Sequence, residues 1–365
     1  MTAATPRARP RFYWYTPTRG DSRLLIESGR GRRPGLLRQA GIDYVRQLAG
    51  VAEAAGLEGI MLPTGVATED GGLLAAALVN DTRRLRFMVS FRAGPELPTH
   101  FAQRIATLQQ LSGERIQVCL FNGSEEEQRS YGDFTDHDVA YERAGEFIAI
   151  ARALWRGEPV QHASRHYLVD CRTAGGLPAA VGPTPRIHAF GISAGADALV
   201  ARHADVHMLW GWPPALIRER VARTRALAAE AGRSIDLGLR LSVIARETEA
   251  EAWAEAQRLL DALPAGVIDQ AQRELARWQS TAMARMQALH GHGRIRGLRE
   301  LELHFNLWLG SALVGGMASF VGSYAQVAER IAEYANIGFG TFVLSGYPNL
   351  EALNRVGEHV LPRIA

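Results

Sequence analysis

One phrase recurs along this chain: an amphipathic helix, a glycine that stops it, and a short apolar strand. "VRQLAGVAEAAGLEGIMLP", "AQRIATLQQLSGERIQVCLF", "ARTRALAAEAGRSIDLGLRLSVIA" and "AQVAERIAEYANIGFGTFVLS" all follow it. In the first, Val45, Leu48, Ala52 and Ala55 share a helical face; in the last, Val327, Ile331 and Tyr334 do. A glycine just past the final turn suits the left-handed helix cap, where other residues meet steric strain. Repeated αβ units build either a doubly wound sheet or a closed barrel. Strands are expected near residues 11–16, 58–62, 86–91, 116–121, 186–191, 205–210, 236–245 and 340–344, and no glycine-rich phosphate turn follows the first. Eight strands without that turn favour an α/β fold of the (β/α)8 TIM barrel type.

At 365 residues and 47% hydrophobic, the chain can fill a full core, and no linker divides it, so a single domain over residues 1–365 is expected. The stretch from about 246 to 339, between strands seven and eight, reads as a long insertion that opens with a helix capped by Thr248 and Glu251. Its middle, "HGHGRIRGLRELELHF", reads as a mobile segment at the mouth of the barrel. Basic and acidic residues nearly balance, 41 against 38, with no basic run interleaved with aromatics, which argues against nucleic acid as a partner. No run is long and apolar enough for a membrane span, and the first ten or so residues lack the apolar core of a signal peptide. Two cysteines, Cys119 and Cys171, make neither a disulfide framework nor a cysteine metal site, which fits a reducing cytoplasm.

In such a barrel, chemistry sits at the carboxyl ends of the strands. The residues expected there are Thr16, Thr18 and Arg19 from strand one, Thr64 from strand two, and Arg92 from strand three. Asn122 and Ser124 follow strand four, Gly191 and Ser193 strand five, and Trp210 ends strand six. Arg240 and Ser242 lie along strand seven, and Tyr347 closes strand eight in "FVLSGYPN". Glycine and serine before a helix leave free backbone N–H groups at a positive dipole end, so Gly191 and Ser193 either hold a phosphate or merely cap the helix. Arg240, flanked by strand residues, must meet either a protein carboxylate or an anionic ligand. His137 either caps or pairs with acids at its helix start, and Tyr141 one turn on is within reach of a phosphate. His290 and His292 lack a third ligand and a rigid backbone, so they read as solvated and no metal site is expected. No serine reads as a nucleophile and no closely spaced carboxylate pair stands at the strand ends, so hydrolase chemistry has no foothold.

Seven stretches in order carry a likeness over nearly the whole chain: "FYWYTPTRGD", "LPTGVATED", "DHDVAYERAGEF", "FGISAGADAL", "WGWPPALIRERV", "LRLSVIARETEAEAW" and "FVLSGYPNLEALNRVGEHVLP". The chain resembles the bacterial luciferase-like flavin monooxygenases, and most nearly the two-component alkanesulfonate monooxygenases. The resemblance implies reduced FMN as cofactor, delivered by a separate NAD(P)H-dependent flavin reductase, O2 as co-substrate, and a homodimer or homotetramer. It places Ser193, Gly191 and Tyr141 at the flavin phosphate, and Asn122, Ser124 and Thr64 beside the flavin. Trp210, Arg240 and Tyr347 fall around a sulfonate site, the arginine holding the anion and the tyrosine assisting a proton transfer.

Four positions depart from the sulfonate pattern. Arg19 stands where those enzymes have histidine, Ala67 where they have cysteine, Ser242 where they have histidine, and Gly315 where they have a loop arginine. Arg19 restores the lost cation from another wall, or Arg294, Arg296 or Arg299 swings in from the insertion. Three functions are therefore weighed: an alkanesulfonate monooxygenase releasing aldehyde and sulfite, the same chemistry on another organosulfur or specialised-metabolite substrate, and a non-catalytic flavin-binding relative.

Overall fold

The computed structural model describes residues 9–25, 36–123, 125–171, 183–278 and 280–364. Eight parallel strands close on themselves. They are β1 (Arg11–Tyr15), β2 (Gly59–Leu62), β3 (Arg86–Phe91), β4 (Ile116–Leu120), β5 (Ile187–Phe190), β6 (Val206–Trp210), β7 (Asp236–Arg246) and β8 (Phe339–Gly346). Each pairs with the next, and β8 pairs with β1, with Tyr13 opposite Val343 and Gly59 opposite Tyr13. This is the expected (β/α)8 barrel, and each strand begins and ends within two residues of its expected bounds.

The strands are almost wholly buried, since helices cover the outer face and side chains fill the inside. Tyr13, Gln117 and His188 form a polar layer within the barrel. The Tyr13 hydroxyl donates to Gln117 Oε1 at 3.0 Å, and His188 Nε2 meets the same oxygen at 2.7 Å. Burial lowers the His188 pKa to about 3, which leaves a neutral imidazole whose Nε2–H donates to that oxygen. Outside, α1 (Ile42–Ala54) buries Val45, Leu48 and Ala52, and α11 (Tyr324–Ile337) buries Val327, Ile331 and Tyr334, the faces expected from the sequence. Gly56, at φ +74°, takes the left-handed turn that ends the first of these helices.

The segment between β7 and β8 is built of α8 (Glu249–Asp261), α9 (Ala265–Leu275), α10 (Thr281–Leu289), a strand at Ser319–Ser323 and α11. Both halves of a capping box are present at Thr248 and Glu251. The strand 319–323 runs parallel to the upper half of β7, with Ser242 opposite Ser319, and a short hairpin at 302–304 and 307–308 extends it. The glycine- and arginine-rich middle is thus folded against the sheet, and the reading of a mobile segment needs correcting, as does that of a solvated His290, while His292 is exposed as expected. His290 is fully buried, and its Nδ1 accepts from the Gly293 N–H at 3.0 Å. The insertion does reach the mouth of the barrel. Tyr334 donates its hydroxyl to the Trp212 carbonyl at 2.6 Å, and the Arg285 guanidinium lies over the Trp212 ring.

Candidate active site at the carboxyl ends of the barrel strands

Arg240 lies in β7 level with Trp210 of β6 and Val343 of β8. Its guanidinium carbon sits 3.9 Å from the centre of the Tyr15 ring, a cation on an aromatic face. Its Nε is buried and has no hydrogen-bond partner among the described residues, nor does any carboxylate among them form an ion pair with it. Of the two partners open to Arg240 from the sequence, a protein carboxylate is therefore not the one found there. The guanidinium also lies close enough to the buried Cys119 to act on its thiol. Burial pushes that thiol far up, and the cation opposes the shift only in part.

The walls around Arg240 carry further unspent polar atoms. Thr16 and Thr18, beyond the end of β1, are buried at 0% and 2% exposure, and neither hydroxyl has a partner among the described residues. Arg19 follows them, half-buried. Trp210 is buried at the end of β6. Ser242, two residues beyond Arg240, is already engaged, its hydroxyl 2.9 Å from that of Ser345.

At the end of β5 the backbone turns sharply, with Gly191 at φ +131°. A methyl group on Gly191 would lie 2.8 Å from the Tyr141 hydroxyl and 2.5 Å from the Ala196 side chain, so only glycine fits. Ser193 then caps α6 (Ala194–His203), its hydroxyl accepting from the Ala196 N–H at 3.3 Å. Tyr141 comes from α5 (His137–Trp155), where burial pushes its phenol up to about 12 and keeps it a neutral donor. Sequence reasoning missed His207. Buried in β6, it holds the Gly191 carbonyl with Nε2 at 2.8 Å and meets Thr224 Oγ1 with Nδ1 at 2.9 Å. Burial lowers its pKa to about 4.

Tyr347 stands just past the end of β8, buried, and is joined to Pro348 by a cis peptide bond. Two side chains fix this turn. Asn349 accepts from Trp14 Nε1 at 3.1 Å and from the Gly346 N–H at 3.2 Å. Asp21, fully buried, accepts from the Asn349 N–H at 2.8 Å and pairs with Arg38, which also grips Glu351. Asp21 was also missed; its signal, an acid directly after the strand-one turn glycine, is faint.

Several other expected residues have partners within the protein. Arg92 pairs with Glu127 at 2.5 Å and donates to the Asn122 carbonyl at 2.6 Å. Asn122 keeps a buried amide nitrogen with no partner among the described residues. Thr64 bonds the hydroxyl of Tyr131, and Ser124 lies outside the described residues. His137 pairs with Asp138 at 3.1 Å, the bland reading. Arg296 is tied to Asp269, Arg299 to Glu302 and the Trp253 face, and Arg294 is exposed, so Arg296 and Arg299 are held within the insertion itself. Gly315 closes a turn at φ +86° against Leu275.

A closed parallel barrel whose strand ends gather a free guanidinium, aromatic walls and a glycine–serine helix start is the architecture of a barrel oxidoreductase. The sequence model of the luciferase-like monooxygenases matches residues 11–341, and the chain belongs to that flavin-dependent family. Solved structures similar to it include a riboflavin lyase with modified FMN and riboflavin, 22% identical, with a TM-score of 0.79 over 97% of this chain and 91% of that one. EDTA monooxygenase from Chelativorans sp. BNC1 is 21% identical, with a TM-score of 0.77 over 98% of this chain and 93% of that one. DmoA from Hyphomicrobium sulfonivorans is 18% identical, with a TM-score of 0.77 over 98% and 88%. No helix among the described residues is long and apolar enough to cross a membrane.

Proposed function

We propose that the chain is the oxygenase of a two-component system, using reduced FMN from a separate reductase and O2 to oxidise a small anionic organic substrate, with an alkanesulfonate the leading class. The observation that carries this reading is Arg240. A half-buried cation with neither a side-chain hydrogen bond nor an ion pair among the described residues, stacked on Tyr15, is stable chiefly as half of a pair whose other half arrives from outside.

The residues at the strand ends fit FMN. Gly191, Ser193 and the first turn of α6 offer backbone N–H groups to a phosphate, and the neutral Tyr141 phenol donates beside them. The Asn122 amide and the Thr16 and Thr18 hydroxyls supply polar atoms without partners for the rest of the cofactor. Thr64 is assigned to the same side of the proposed site, and Ser124, outside the described residues, keeps the role that the resemblance implies. FMN is also the cofactor named with the riboflavin lyase. When bound, reduced FMN supplies the two electrons that let O2 deliver one oxygen atom to the substrate and the other to water.

The chain's own contribution is binding and enclosure. Arg240 holds the anion, Trp210 and Tyr15 exclude water, and Tyr347 holds or passes a proton at its phenol oxygen, its turn fixed by Asp21 and Asn349. Arg19 is the second cation of the site. For an alkanesulfonate, oxygen is inserted at the carbon bearing sulfur and the C–S bond breaks. Sulfite leaves, an aldehyde remains, and the flavin is oxidised.

The engaged Ser242 and the glycine turn at 315 favour a second reading, the same chemistry on another anionic substrate, since neither supplies the imidazole or guanidinium of the sulfonate pattern. Purified protein, FMN, a reductase, NAD(P)H and sulfonates of graded chain length test both. Substrate-dependent sulfite supports the sulfonate reading. Its absence, with FMN still bound, removes that reading, and failure to bind reduced FMN removes the whole proposal.

A further inference from the structure

Away from the barrel mouth, α5 carries Glu142 and Glu146 one turn apart on one face. Against them lies an antiparallel hairpin, Val160–Ala163 with Leu168–Cys171, whose turn is drawn tight by Ser164. The Ser164 hydroxyl accepts the N–H groups of His166 and Tyr167 at 3.0 and 3.1 Å and donates to Glu146 at 2.5 Å. That turn brings two histidines, four residues apart, onto the two glutamates. His162 Nε2 is 3.0 Å from Glu146 Oε2, and His166 Nε2 is 3.6 Å from Glu142 Oε1. Donor atoms of Glu142, Glu146 and His166 all lie within 4.8 Å of one another.

We propose that Glu142, Glu146, His162 and His166 form a divalent-cation site, best suited to zinc, that fastens the hairpin to α5. Zinc bonded at roughly 2.0–2.1 Å to four such atoms in a tetrahedron holds them roughly 3.3 Å apart; the two His–Glu distances bracket that spacing, while His162 stands outside the three-residue cluster and closes in from Glu146 when the metal binds. Two imidazoles and two carboxylates are a borderline-soft set that suits zinc better than magnesium or calcium. His166 is only 7% exposed, so its ring is placed by packing. Burial would raise the Glu146 pKa, but bonds from Ser164 and His162 bring it below the ordinary carboxylate value and keep it an anion.

Arg165 competes for the place. It pairs with Glu142, and its Nε donates to His166 Nε2 at 3.2 Å. That contact leaves Nε2 unprotonated but aims its lone pair at the guanidinium, so a metal takes the place only when the arginine, 61% exposed, moves aside. Glu142 follows Tyr141, whose hydroxyl lies against Gly191, so a cation here also steadies the helix that carries Tyr141.

The full-length protein, stripped of metal and titrated with zinc sulfate against a chromogenic chelator, tests the proposal. One zinc per chain is expected, with affinity about ten-fold or more weaker in Glu142→Gln and in His166→Gln, and tighter in Arg165→Ala. X-ray absorption of the loaded protein is expected to show two imidazole nitrogens. Circular dichroism checks folding, and Glu142→Gln with Arg165→Ala decides the matter if His166→Gln misfolds. Zinc uptake that is absent, or unchanged in Glu142→Gln and Arg165→Ala, overturns the site and leaves the hairpin held by hydrogen bonds alone.

Discussion

Arg92 and Arg240 are both arginines at the carboxyl ends of barrel strands, yet their surroundings differ. Arg92 spends its guanidinium on Glu127 and the Asn122 carbonyl, with Phe121 and Tyr131 as flanking rings. Arg240 stacks on Tyr15 and keeps a buried Nε–H without a partner among the described residues. The first is a complete ion pair that ties the loop after β4 to β3, although its own Nε is also buried without a partner among the described residues. The second is half of one. A half-buried charge left unpaired is costly, and chains retain such cost where a ligand completes the pair.

The contrast can be broken at either arginine. Arg92→Ala removes the cation paired with Glu127 and one of the two donors to the Asn122 carbonyl, and urea unfolding is expected to show a loss of about 3 kcal/mol. A loss near zero would mean that Arg92 is not the structural member of the comparison. Arg240→Ala is expected to weaken binding of an anionic substrate on the order of 10–100-fold, as a lost charge-assisted hydrogen bond of about 1.5–3 kcal/mol implies, with FMN affinity nearly unchanged. Equal losses for both ligands, measured by fluorescence titration, would take Arg240 out of the substrate site.

A third basic side chain behaves differently again. His207 is buried neutral, its pKa lowered from an unfolded value near 6.5 to about 4. The folded state therefore binds fewer protons than the unfolded one between those values, so stability is full above the unfolded pKa and lost as pH falls toward 4. Between pH 7.5 and 5, this one group is expected to remove about 2 kcal/mol. Denaturation midpoints at the two pH values check it, and His207→Gln should flatten the dependence. The smallest effect is expected at Ser242. Ser242→Ala removes one neutral hydrogen bond, to Ser345, for about 1 kcal/mol of stability and little change in substrate affinity. A large loss of turnover would instead put Ser242 against the substrate.

The strands were legible because each is a short apolar run, four of them following a glycine-stopped helix, so β1 to β8 fall within two residues of expectation. The ring of strand-end residues followed from the barrel itself. What local pattern does not carry is pairing across the fold. Asp21 and Asn349, separated by most of the chain, clamp the Tyr347 turn, and nothing near either residue announces the other. The same holds for His207 and the Gly191 carbonyl. The insertion was misread because glycines and arginines resemble a solvated loop, whereas here the hairpin at 302–308 extends the sheet and His290 is buried beneath it.

The most direct measurement is a crystal structure with FMN and an alkanesulfonate bound. The account predicts a sulfonate oxygen about 3 Å from the Arg240 guanidinium, with its Nε–H satisfied and Tyr15 still beneath it. A sulfonate bound elsewhere, with Arg240 turned to a protein carboxylate, would contradict it.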